Sequence, residues 1–212
     1  MSVNITIISH LWIIWARLAI DGAGRAALAR RQYHLAVNSP PSTVTASEAL
    51  GTEAAESMAS ICATVFALEA MVSAVGRLVM LPCTINKWES PGQAPKTVNR
   101  VREVLKNAIV QQKLASTLAT QWETVILDRN AAVHFLESPG SPEPHPVGTN
   151  VAPENARYTL ETAKGAVGLL FDTLHGGRDH PKPDAAGWST DFGPAIVELG
   201  HRWTSTDMSA TP

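Results

Sequence analysis

Six consecutive residues, Arg129-Asn130-Ala131-Ala132-Val133-His134, place a guanidinium, an amide and an imidazole at the end of a long apolar helical pattern. An imidazole titrates near neutrality and can act as general base or general acid. A guanidinium holds non-bridging phosphate oxygens through paired hydrogen bonds. RNA carries its own nucleophile, the 2′-hydroxyl beside each phosphate, so its cleavage needs only a proton acceptor, a proton donor and stabilisation of the phosphoryl charge, without a metal. At about 100° per residue, Asn130 and His134 lie one turn apart on one helix face, whereas Arg129 and His134 are about 140° apart. Asn130 is therefore placed to orient the imidazole. Arg129 joins them only if the helix loosens near His134 or if a second copy of the chain completes the site. A plainer reading stays open beside this one: Arg129 covers a helix end and His134 stabilises the last carbonyls.

The elements that must position these residues follow from apolar spacing. A first helix is expected from about His10 to Val37, weakened by Gly22 and Gly24 and stopped by Pro40-Pro41. Thr45-Ala46-Ser47-Glu48 forms a capping-box pattern, and Met58, Ile61, Val65, Leu68, Val72, Val75 and Val79 continue as the clearest helix, with Glu69 its notable charge and exposure the favoured reading for it. A connection is expected over Pro82 to Pro95. Val98 to Val133 reads as one long helix or as two divided near Asn107. The run from Ser138 to Pro146 is too rich in proline for regular structure. A last long helix is expected from Pro153 to Leu174, ended by Gly176-Gly177. The first residues, Val3 to Ile7, have strand character but nothing to pair with. The expected fold is all-α, a bundle of four to five helices in one domain over 1–177, with 178–212 an irregular tail.

A net charge of −2 and a pI near 6.4 exclude a general nucleic-acid coat protein, so any nucleic-acid contact is local. Two cysteines, Cys62 and Cys83, encode neither a disulfide scaffold nor a thiolate zinc site and fit a reducing cytoplasm. The apolar stretch from Ile5 to Ile20 is interrupted by His10 and Arg17 and is too short for a membrane span, so a soluble protein without a membrane role is expected. Arg25, Arg30 and Arg31 with Tyr33 and His34 offer phosphate contacts, although a charge run is usually a solvated helix face. Asp128 and Glu123 read as solvated carboxylates. His175, His180 and His201 with Asp179 and Asp184 match no zinc spacing, and Trp12, Trp15 and Trp122 read as core. No phosphate-binding glycine loop or serine-nucleophile motif is present.

The run Arg129-Asn130-x3-His134, at a helix end in a small all-α protein, resembles the R-x4-6-H motif of HEPN domains. The resemblance reaches roughly from residue 48 to 175. It implies a dimeric helical bundle and a metal-independent endoribonuclease of the kind found in toxin–antitoxin, phage-defence or RNA-processing systems. Arg129 and His134 would be catalytic and Asn130 the supporting polar residue, with no cofactor and no metal. One chain supplies one such histidine, so an isologous homodimer would provide both proton-transfer roles. The implied partners are an RNA substrate, a second copy of the chain, and a cognate antitoxin or regulatory protein. The alternative is a non-catalytic HEPN-like module that binds RNA, nucleotide or a protein. Leu136 stands where some members carry a tyrosine linked to regulation by nucleotide transfer, so that regulation is not expected.

Overall fold

The three-and-four apolar spacing of the sequence is realised as helix along most of the chain. A computed structural model describes residues 11–38, 44–90, 92, 95–133 and 141–208. Among these are eight α-helices: α1 (Leu11–Asn38), α2 (Ala46–Val79), α3 (Pro82–Glu89), α4 (Thr97–Ala108), α5 (Gln112–Val133), α6 (Pro153–Arg157), α7 (Leu160–Asp179) and α8 (Gly187–Ser205). One hairpin, β1 (Glu143–Pro144) and β2 (Asn150–Val151), pairs antiparallel with Glu143 opposite Val151. The possible strand at Val3 to Ile7 and the residue His134 lie outside the described residues.

The helix count exceeds the expected four to five because several breaks are local and well capped. Thr45 caps α2 with Glu48 in the reciprocal box that the sequence spelled out. The presumed connection after Pro82 begins with α3, for which Pro82 supplies a first-turn residue that needs no hydrogen-bonded N–H. The long pattern from Val98 to Val133 is two helices. Between them, Val110 N–H donates to the His180 carbonyl at 2.9 Å and Lys182 N–H to the Ala108 carbonyl at 2.8 Å, which satisfies the interrupted backbone. The expected last helix breaks at Tyr158 and Thr159. Thr159 starts α7 with its own box to Thr162.

Two further expectations are corrected. Gly176-Gly177 do not stop α7, which continues to Asp179. Gly177 is there for packing: a Cβ would collide with the Trp188 indole. The supposed irregular tail carries α8, whose Trp188, Phe192, Ile196 and Leu199 recur at helical spacing and are buried against α1 and α7. Burial of side chains of that size contributes about 1.5–3 kcal/mol each, enough to override the Gly and Pro content that reads as irregular in isolation.

The core is organised around α2, which packs on α1, α4, α5 and α7. Trp12 and Ile20 of α1, Leu68 and Met71 of α2, Leu105 of α4, Trp122 of α5, Leu174 of α7 and Trp188 of α8 belong to one buried cluster. α1 and α2 approach closely at Gly22, where a Cβ would meet the Ser60 backbone at 3.2 Å, and Ser60 Oγ donates to the Ala19 carbonyl at 2.7 Å. α2 is long and apolar enough to cross a membrane by length and composition, but 56% of its apolar window is buried inside the fold, as in the core helix of a soluble protein.

Candidate functional site

α5 turns Leu118, Ala119, Trp122 and Ile126 inward, and Trp122 Nε1–H donates to Thr173 Oγ1 at 2.8 Å, which fixes the helix against α7. With that face buried, Arg129 is directed toward α2. Its Nη2 donates to Glu69 Oε1 at 2.7 Å, and the guanidinium carbon stands 5.6 Å from the centroid of the Phe66 ring, within cation–π range. The Arg129 and Glu69 side chains are 16% and 25% exposed. Glu69 Oε1 also accepts from Thr97 Oγ1 at 2.9 Å, and Arg100 Nη2 donates to the same Thr97 hydroxyl at 3.5 Å. Two guanidinium groups, a carboxylate and a hydroxyl thus meet where α2, α4 and α5 come together. The Nε atoms of Arg100 and Arg129 are both buried and donate to no acceptor among the described residues. Two cations against one carboxylate leave an excess of positive charge suited to an anion such as a phosphate. Burial pushes the nearby Cys62 thiol above its ordinary value against the pull of Arg129, so it is a neutral thiol.

The expected exposure of Glu69 is therefore corrected: it is the carboxylate that holds Arg129. Asp128 and Glu123 do not pair with Arg129. Asp128 is 3.8 Å from Arg157, and Glu123 is 3.4 Å from Arg102. Asn130 follows Arg129 in the last turn of α5, half-buried, and His134 comes just after the last residue of that helix in the sequence.

A second polar group lies inside the molecule. Arg30 of α1 donates through Nε and Nη2 to both oxygens of Glu53 on α2, the former bond 2.6 Å long, and reaches Glu161 of α7 at 3.0 and 3.1 Å. Glu53 is fully buried and its Oε1 also accepts the Leu160 N–H at 2.9 Å. His145, from the proline-rich run, is buried with its Nε2 3.6 Å from the same oxygen. Its Nδ1 accepts the Val147 N–H at 3.3 Å, so the neutral ring carries its proton on Nε2, facing Glu53. Burial, more than Arg30, holds the His145 pKa below its ordinary value despite the nearby carboxylates. The described part of this run is thus an ordered hairpin that seats a histidine on α2, contrary to the irregular loop expected there.

The basic run near the end of α1 is consumed by carboxylates. Arg25 pairs with Glu56 at 2.8 Å, Arg30 with Glu53 and Glu161, and Arg31 with Asp207 at 2.5 Å. His175, Asp179 and His180 line an open groove of about 430 Å³ between α5 and α7, with Leu114, Leu118 and Gln121. Among the described residues no group of three or more His, Cys, Asp or Glu side chains is placed to hold a metal ion.

Sequence reasoning missed Phe66, Thr97 and Arg100 at the Arg129 site and the whole Arg30–Glu53–His145 group. Glu69 did carry a signal, as the single charge between Glu56 and Arg77 of α2, a place where charges are rarely left without partners, whereas Glu53 does not stand out between Glu48 and Glu56. Nothing in the local pattern marks Arg100. No family profile, curated protein or solved structure matches this chain.

Proposed function

We propose that this chain is a metal-independent endoribonuclease of HEPN type, working in the cytoplasm as the toxin or effector of a toxin–antitoxin or phage-defence system. The observation that carries the reading is the largely buried Arg129, oriented by Glu69 and Phe66 with Arg100 beside it, at the end of α5 just before His134 in sequence. Glu69 engages Arg129 Nη2 and leaves Nη1 for a phosphate oxygen. In the proposed reaction one His134 imidazole takes the proton of the 2′-hydroxyl. The 2′-oxygen then forms a bond to phosphorus as the bond from phosphorus to the 5′-oxygen breaks. The leaving 5′-oxygen receives a proton from the imidazolium of a second copy, and Arg129 offsets the charge of the phosphoryl group. Asn130 keeps the imidazole in the orientation that this requires.

A second reading is favoured by the Arg129–Glu69 ion pair itself, which ties α5 to α2 and suits a non-catalytic module that binds RNA, nucleotide or protein. Labelled RNA incubated with the purified protein in excess chelator separates the two. The parent is expected to cut, and Arg129→Lys, which keeps the charge but loses the planar fork, to be slower by about 10²–10³. A His134→Ala protein that cuts as fast as the parent would sink the ribonuclease mechanism, and retention of RNA on every variant without cleavage would favour the module.

A further inference from the structure

Leu11, Ile14, Leu18, Leu28 and Leu35 of α1 are each between 45% and 53% exposed, an unusual concentration of large apolar side chains on one helix. They fall on a seven-residue repeat in which Asp21, Arg25 and Gln32 occupy the remaining seam positions between Leu11 and Leu35. At 1.5 Å per residue this seam is about 36 Å long. Ion pairs run along it: Arg17–Glu198 and Arg31–Asp207 beside the seam and Asp21–Arg202 within it tie α1 to α8 and to the residues just after it, and Arg25–Glu56, also within it, ties α1 to α2. Exposed large apolar side chains toward both ends of the seam, with one carboxylate and one guanidinium at its middle, form the pattern of a protein interface rather than of a solvated face.

We infer that this stripe docks on the same stripe of a second copy, with the two α1 helices antiparallel about a two-fold axis level with Ala23. The order of residue types selects the occupant and the direction. Reversed about Ala23, Leu11 meets the partner's Leu35, Leu18 meets the partner's Leu28, Ile14 meets the partner's Gln32, and Asp21 meets the partner's Arg25. Apolar side chains then cover one another, and each carboxylate faces a guanidinium twice by symmetry, as a self-complementary interface requires. A parallel arrangement would set Asp21 against Asp21 and Arg25 against Arg25. A membrane surface would have to desolvate Asp21 and Arg25 in the middle of the stripe. In the antiparallel pair the partner's Asp21 joins Arg25 and Glu56, extending ion pairs already formed within each chain.

Light scattering on the full-length chain tests this, with an expected particle of twice the 22.7 kDa chain mass. Leu18→Glu is expected to give a monomer with unchanged helical content by circular dichroism, because that side chain supports nothing in the core. In a Cys83→Ser background, Leu18→Cys together with Leu28→Cys is expected to form a covalent dimer under a mild oxidant, whereas neither single variant does. Positions 18 and 28 of one helix are about 15 Å apart, too far for an internal disulfide. A monomeric parent, a Leu18→Glu protein that still dimerises, or cross-linking by Leu18→Cys alone would each overturn the inference. None of these measurements involves RNA, so their outcome is separable from that of the ribonuclease reading.

Discussion

Glu69 decides what Arg129 can do. Without it, a guanidinium whose Nε is buried and whose Nη2 donates to that carboxylate would lose its one charged acceptor among the described residues. Removing one partner of a largely buried pair leaves the other desolvated, a cost of about 1–3 kcal/mol, while an exposed pair contributes about 0–1 kcal/mol. With side chains only 16% and 25% exposed, this pair belongs nearer the first case. Glu69→Ala is therefore expected to lower the urea unfolding free energy by about 1–3 kcal/mol. An unchanged urea midpoint would mean that the carboxylate orients Arg129 without stabilising the fold. Arg129 itself was legible in the sequence as a chemical group. Its partners were not, because Glu69 is 60 residues away in the chain and only the packing of α5 on α2 brings the two together.

At the scale of elements, the hairpin β1–β2 acts as a latch. His145 seats it against Glu53 of α2, with Arg30 of α1 and Glu161 of α7 as the other charged groups facing the ring. Burial lowers the folded-state pKa of His145 from the ordinary 6.5. The folded protein then binds fewer protons than the unfolded chain in the interval between those two values. The contribution of His145 to stability is complete above about pH 6.5 and is lost as the pH falls through its lower folded value. Urea unfolding of the parent at pH 7.5 and pH 5.5 is expected to show a larger loss on acidification than the same pair of measurements on His145→Gln. Equal losses would remove His145 from that role. The proline-rich run was expected to hold no regular structure, yet its described part contributes strand β1 and a buried histidine whose tertiary contact composition alone does not reveal.

For the molecule as a whole, the proposed mechanism needs two imidazoles and the Arg129–His134 motif of one chain offers one, so the α1 seam and the Arg129 site bear on each other. Trp15, beside the seam, packs on Phe66 with ring centroids 4.9 Å apart and planes tilted by 50°, and Phe66 in turn lies under Arg129, so the inferred interface and the site are connected through two rings. If cleavage draws an imidazole from each chain, exchanging the parent with an excess of inactive His134→Ala protein should lower RNA cleavage well below the parent's share of the chains, since a mixed dimer carries only one His134. Activity that falls only in proportion to the parent's share, after exchange shown to be complete by mass, would place all the required groups within a single chain.

The amino-acid order by itself determined the helical class, the boundaries of α1 and α2, the capping box at Thr45 and Glu48, and the candidate chemistry of Arg129, Asn130 and His134. These are local properties: propensity, periodicity within one element, and the intrinsic reactivity of side chains. Only the tertiary structure decided that Gly176 and Gly177 sit inside a helix, that the glycine- and proline-rich tail forms α8, and that Arg30 belongs to a buried ion network. In each of these cases the deciding energy comes from surfaces or charges brought together from distant parts of the chain. Trp188 packs into the space above Gly177, and Glu53 meets Arg30 across the α1–α2 contact. Local preference is worth a few tenths of a kcal/mol to about 1 kcal/mol per residue, and a buried indole or a paired buried charge outweighs it.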